Sequence, residues 1–223
     1  MKAPVEIVPA THPRGGVVLV SEVWGVNDDL RAWAGRLADA GFDVAMPDLW
    51  WRTGRPPLGS PEQIREAVAG LADYPALADV ATARDRLDAT RPRFVMGFCM
   101  GGLYARMAAC ALPGLAGAVE FYGRIVYPTI TPQKPAQPLD LLPGLSCPLQ
   151  CHFGDADPVA PPEHVDQLEQ RLAVAPRAAQ VLRYPGCGHA FMNRGGPHWS
   201  PDAAELAFAR ACHFLGHLAA AAG

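Results

Sequence analysis

Short apolar, β-branched runs recur along this chain and alternate with stretches of helical spacing, a pattern that a layered α/β architecture satisfies. Val17 to Ser21, entered through Gly15 and Gly16, is the first such run. Others follow at Asp43 to Met46, Arg93 to Phe98, Gly117 to Phe121, Leu149 to Phe153 and Gln180 to Tyr184. A strand buried on both faces reads as a continuous apolar run, because neither face can be polar. Between the runs, Leu30, Trp33, Ala34, Leu37 and Ala38, and then Leu77, Val80, Ala81, Ala83 and Leu87, carry the spacing of helices with one apolar side. The expected fold class is therefore α/β, with a mostly parallel central sheet and helices on both faces. Ligands of such sheets sit beyond the carboxyl ends of the strands, so the loops after strands are where chemistry is to be sought.

Further helices are expected at Leu103 to Cys110, Glu163 to Leu172 and Asp202 to Leu218, the last opening on Ser200 as cap and Pro201 at the first helical position. Arg52 to Pro61 and Pro128 to Pro143 are proline-rich and read as surface loops, and the alanine-rich tail after Leu218 reads as a frayed helix end. A chain of 223 residues and one continuous series of elements predicts a single domain over residues 1–223, with no length for a large lid. Net charge −3 with 18% charged and 50% hydrophobic residues excludes disorder and gives no electrostatic case for nucleic acid. Met1 to His12 has neither a basic n-region nor an apolar h-region, and no apolar run reaches bilayer length, so no membrane association and a cytoplasmic location are expected. Six cysteines spread from Cys99 to Cys212 then read as reduced thiols.

Gly97-Phe98-Cys99-Met100-Gly101 joins a strand to a helix and has the G-x-S-x-G pattern of a nucleophile elbow, with cysteine in the serine position. The glycines are a steric need, since side chains there would collide in the strained turn that presents the nucleophile. The following helix puts its amino end beside the sulfur, favouring thiolate, and offers the Met100 N–H to an oxyanion. The competing reading is a small apolar residue in an ordinary turn.

Order along the chain favours the functional reading. An acid and a histidine follow the elbow at successive strand ends, as a hydrolase triad requires. Two acids, Asp155 and Asp157, follow Leu149 to Phe153, and His189, flanked by Gly188, follows Gln180 to Tyr184. The histidine would move protons near neutral pH while the carboxylate fixes its tautomer. A zinc site among Cys147, Cys151, His152, Cys187 and His189 is disfavoured, because Cys-x3-Cys lies inside a strand whose side chains alternate faces. A binder or thiol redox sensor would need only an activated thiol, not a full triad with oxyanion donors.

Glu22-Val23-Trp24-Gly25-Val26-Asn27, Pro47-Asp48-Leu49, Gly97-Phe98-Cys99-Met100-Gly101-Gly102, and Gly154 to Pro161 with Gly188-His189-Ala190-Phe191 together resemble the dienelactone hydrolase, or carboxymethylenebutenolidase, family of α/β hydrolases. The resemblance spans nearly the whole chain. It implies Cys99 as nucleophile, His189 as base, Asp157 rather than Asp155 as acid, Glu22 as a switchable base beside the thiol, and Val23 with Met100 as oxyanion donors. It further implies Tyr122 at the site mouth and arginines for a substrate carboxylate; Trp24, Trp50 and Trp51 read either as an aromatic wall or as half-buried packing. Asn193 stands where an arginine is expected, which leaves Arg194, Arg52 and Arg65 as candidates. The implied activity is opening of a small unsaturated lactone or activated ester through a thioester, without cofactor or metal, by a monomer or small homo-oligomer; a general carboxylesterase is the alternative.

Overall fold

The computed structural model describes residues 2–222; Met1 and Gly223 of the expected domain lie outside the described residues. Seven strands form one sheet: β1 (Val5–Val8), β2 (Gly15–Val20), β3 (Phe42–Pro47), β4 (Arg93–Phe98), β5 (Gly117–Phe121), β6 (Leu149–Gly154) and β7 (Ala179–Tyr184), in spatial order β1-β3-β2-β4-β5-β6-β7. All neighbours are parallel except β1, which runs antiparallel to β3 with Val5 opposite Pro47. The expected α/β class with a mostly parallel sheet is what the chain adopts. β1 is an addition to the expected series. Exposed Glu6 and Ile7 between half-buried Val5 and Val8 make it a short edge strand rather than an apolar run.

Alternate residues of β2 feed two separate cores. Val17 and Leu19 join Trp33 and Leu37 of α1 (Asp28–Asp39) and Phe208 and Leu215 of α6 (Pro201–Ala221), while Val18 and Val20 face the opposite layer. That layer holds α3 (Asp73–Arg84), α4 (Met100–Ala111) and α5 (Pro162–Leu172). α2 (Pro61–Gly70) lies on it too, through half-buried Ile64, Ala67 and Val68, but has no fully buried residue. Helix α6 runs through Ala221, so the alanine-rich tail continues the helix. Among the described residues no helix is long and apolar enough to cross a membrane.

Pro128 to Pro143 departs from the expected surface loop. A 3-10 helix occupies Pro138–Gly144, and Lys134 is buried with its Nζ 2.8 Å from Asp73 Oδ1 and 2.9 Å from the Tyr104 hydroxyl. The Tyr127 hydroxyl also donates to Asp73, at 3.0 Å. Lys134 thus points inward, fastening the segment to α3 and α4, while Asp140 stays exposed.

After β2 the chain moves outward to β3, then returns across β2 to place β4 on its other side. The strand order reverses between β2 and β4, and a crevice opens beyond their carboxyl ends. Glu22 and Val23 follow β2, and Cys99 follows β4.

His152 on β6 gives the fold a testable pH dependence. Its ring stacks on Phe121 at 4.5 Å, with Nδ1 2.8 Å from the Tyr184 hydroxyl and Nε2 2.9 Å from Gln150 Oε1. Burial, aided by the charge of Arg210, pushes its pKa down to about 3 from 6.5. Between those values the unfolded chain takes up a proton that the folded chain refuses, so this contribution is present above pH 6.5 and is lost as pH falls. Denaturant titrations of wild type and His152→Gln should therefore differ in slope between pH 6 and 4, the wild type losing up to about 1.4 kcal/mol more per pH unit. Parallel slopes would contradict a neutral buried imidazole.

Candidate active site

Cys99 sits between β4 and α4 with φ 52° and ψ −112°, the left-handed region that side-chain-bearing residues avoid. The turn closes only because its flanks are bare. A Cβ on Gly97 would come within 2.1 Å of the Gly101 carbonyl oxygen, and one on Gly101 within 2.2 Å of that of Val20. Cys99 N–H donates to the Phe121 carbonyl at 3.0 Å, tying the turn to β5. Met100 opens α4, so its N–H belongs to the first turn, which has no partner within the helix.

His189 comes from the loop after β7 and Asp157 from the loop after β6. His189 Nε2 lies 3.1 Å from Cys99 Sγ, and Nδ1 lies 2.8 Å from Asp157 Oδ2. Asp157 is buried, and its other oxygen accepts from the N–H groups of Val159 at 2.7 Å and Ala160 at 3.2 Å. Asp155 is exposed and accepts from Gly186 N–H at 2.6 Å, the role of a turn residue. The structure thus separates the two acids that the spacing left open. Burial opposes a charged His189 ring, but negative charge on Cys99 and the bond to Asp157 outweigh it and push its pKa up to about 10. Such a ring can take the thiol proton and hold it.

Glu22 reaches the same crevice from the end of β2. Its Oε1 accepts from the Tyr122 hydroxyl at 3.1 Å and its Oε2 from Asn193 Nδ2 at 2.7 Å. Burial raises its pKa, against the hydrogen bonds and the charge of His189. Tyr122, itself at φ 40°, is fully buried with its ring edge-on to His189 at 5.4 Å and to Phe191 at 5.3 Å. Burial also raises the Tyr122 pKa, so its hydroxyl stays a donor. Ala190, beside the histidine, is the third residue other than glycine with positive φ among the described residues, at 62°.

Val23 follows Glu22 in a tight turn closed by Gly25 N–H on the Glu22 carbonyl at 3.1 Å. Buried Trp50 braces that turn, its Nε1 donating to the Val23 carbonyl at 2.9 Å, while Trp24 is half-buried against the same core. Trp51 turns elsewhere: its Nε1 donates to Asp79 Oδ2 at 3.2 Å and its ring lies under Arg52 at 4.4 Å.

The expected arginines are otherwise engaged. Arg52 forks onto buried Asp79, with Nη2 2.9 Å from Oδ1, and Arg65 pairs with Glu62 on exposed α2. Arg194 lies over the Trp33 ring at 4.6 Å with its Nε 4.0 Å from Asp29. What the sequence reading missed is the use of Asn193. It registers there only as a departure at an arginine position, whereas its amide is the shortest hydrogen bond on Glu22. Among the described residues no group of three or more His, Cys, Asp or Glu side chains is placed to hold a metal ion.

Comparison with known proteins places the chain among its relatives. The model of the dienelactone hydrolase family matches residues 3–219. The chain is 31% identical to a Bradyrhizobium protein named "Probable 2-oxo-3-(5-oxofuran-2-ylidene)propanoate lactonase", over 86% of this chain and 79% of that one. It is also 31% identical to a carboxymethylenebutenolidase of Rhodococcus opacus, over 85% of this chain and 76% of that one. Among solved structures, one from Klebsiella pneumoniae, provisionally named a dienelactone hydrolase, superposes with a TM-score of 0.86 at 26% identity, covering 95% of this chain and 91% of the other.

Proposed function

This chain belongs to the dienelactone hydrolase family, and from that premise we propose that it opens a small unsaturated lactone or activated ester through a thioester on Cys99. The observation that carries the proposal is the line Cys99 Sγ, His189, Asp157, with links of 3.1 and 2.8 Å at the reversal of strand order. Sγ attacks the carbonyl carbon as thiolate, with the thiol proton on His189. The N–H groups of Val23 and Met100 receive the charge that develops on the carbonyl oxygen. The ring C–O bond breaks as His189 returns that proton to the departing oxygen. Water, deprotonated by His189, then hydrolyses the thioester, freeing the carboxylate and restoring the thiol. Glu22, held by Tyr122 and Asn193, adjusts the protonation of the pair by its charge.

The engagement of Arg52 on Asp79 and of Arg194 on Trp33 favours the second reading, a carboxylesterase for neutral substrates, because it leaves neither guanidinium turned to a substrate carboxylate. Purified protein, a dienelactone and a neutral aryl ester, with Cys99→Ala as control, decide between them spectrophotometrically. Dienelactone turnover lost in the control supports the lactonase, ester turnover alone moves the substrate class, and turnover surviving in the control removes the thioester.

The choice of acid is testable separately. Asp157→Asn should lower kcat/KM by about 10²-fold, the low end for acid–base assistance because the thiol and ring already share the proton. Asp155→Asn, altering only an exposed turn, should stay within about twofold of wild type. The reverse order would reassign the acid.

A further inference from the structure

Beside Glu22 and Tyr122, and also lined by Phe98 and Met192, lies a cavity of about 20 Å3 that the mechanism above does not use. Its polar lining is Glu22, Tyr122, Asn27, Asp29 and Trp33. A bound water needs about 10–15 Å3 and two to four polar partners, so the cavity takes one molecule. Trp33 supplies an independent sign of a ligand. It is 1% exposed, and its Nε1 makes no hydrogen bond of good geometry, the Asp29 carboxylate being close enough to accept only weakly from it. A buried indole N–H left unpaired costs about 1–3 kcal/mol, which a cavity water would relieve.

We propose that this cavity holds one ordered water, accepting from Trp33 Nε1–H and donating to the carboxylates of Glu22 and Asp29, and that Asp29 thereby acts as a positioning residue that exchanges protons with Glu22. The inference rests on the reading of Glu22 as the group that sets the state of the Cys99–His189 pair. The transfer balances simply. The Glu22 carboxyl O–H breaks, the water takes that proton and passes one of its own to Asp29, so Glu22 ends as carboxylate, Asp29 as acid, and the water unchanged. Asp29 is three-quarters buried and meets Arg194 at 4.0 Å on its outer side, which connects the relay to solvent. The groups that face Glu22 are Tyr122, Asn193, His189 and Asp29; those that face Asp29 are Arg194, Trp33 and Glu22.

The test follows the pH profile of Cys99 alkylation by iodoacetamide and of kcat/KM in wild type, Asp29→Asn, Trp33→Phe and Glu22→Gln. It also includes the double variant Asp29→Asn/Glu22→Gln and a high-resolution crystal structure of the wild type and Trp33→Phe proteins. Removing the negative charge of Asp29 should ease ionisation of Glu22 and move the Glu22-dependent limb on the order of half a pH unit towards acid. The shift should vanish when Glu22 is already glutamine, and Trp33→Phe should lose the water from the cavity. A thermal scan confirms that each variant is folded; Asp29→Asn, at a partly exposed site, serves even if Trp33→Phe is not. A shift that persists in the double variant overturns the relay, as does a dry cavity in the wild type. An unchanged Asp29→Asn profile beside a changed Glu22→Gln profile overturns the relay alone. An unchanged Glu22→Gln profile instead overturns the reading of Glu22 itself.

Discussion

Replacing Cys99 with alanine should reduce lactone and ester turnover by about 10⁴-fold or more, and His189→Ala should do nearly the same. The two effects should be similar and should not add in the double variant, because the sulfur and the ring operate as one unit separated by 3.1 Å. Alanine at position 99 keeps the turn, since what the elbow requires is bare flanks at Gly97 and Gly101, so the loss would report chemistry and not misfolding. Cys99→Ser is the sharper variant. The hydroxyl proton is held far more tightly than that of a thiol, and an imidazole raised to about 10 by the negative sulfur would lose that support. Serine should therefore recover little of the rate. Steady-state kinetics with intact circular dichroism settles the matter: turnover within tenfold of wild type in Cys99→Ala would mean that another residue attacks the carbonyl.

Arg106→Met should cost about 3–5 kcal/mol of stability, the largest loss expected of any single substitution away from the crevice. Arg106 and Glu120 are both fully buried and paired, Arg106 on α4 and Glu120 on β5. Burial lifts the Glu120 pKa to about 7 even with the guanidinium beside it. Methionine would fill the space but leave that carboxyl in a dry interior with only the Cys151 thiol, at 3.5 Å, as partner. For a chain of this size the melting temperature should fall by about 2–4 °C per kcal/mol. Arg106→Met/Glu120→Leu should regain much of the loss, since replacing both members of a buried pair is far cheaper than orphaning one. Denaturant unfolding that shows less than about 1 kcal/mol for the single variant would refute the argument. Arg106 Nη2 also donates to the Arg124 carbonyl at 2.6 Å, so it fastens the turn that carries Tyr122 to Glu22. Activity should fall in Arg106→Met before the protein unfolds globally.

The core strands were legible in the sequence because each is buried on both faces and so apolar throughout. β1 was not, since an edge strand with residues Val-Glu-Ile-Val needs only two half-buried side chains and resembles any exposed segment. α2 escaped for a related reason: with no fully buried residue, its apolar spacing is too weak to separate from a loop. In the site, Cys99, Asp157 and His189 could be found together because strand order maps directly onto position along the crevice. Pairings between distant loops leave no such trace. Nothing in Arg52 or Asp79 announces that they face each other across 27 residues, and Lys134 looked like the surface of a proline-rich loop until its ammonium was seen on Asp73. Asn193 shows the same limit, since an amide substituted for a cation changes what it holds without changing the spacing around it.

Cys99, Tyr122 and Ala190 are the non-glycine residues among those described whose backbones turn left-handed, and all three border the crevice. Each such residue carries an energetic penalty of about 1–3 kcal/mol, so the crevice is held against the chain's own local preference by the sheet beneath it. Evolution under pressure for heat resistance alone would be expected to relax these positions first, with glycine at Ala190 the easiest step. A lineage that kept alanine there through such pressure would be recording, in a backbone angle, selection for the activity itself.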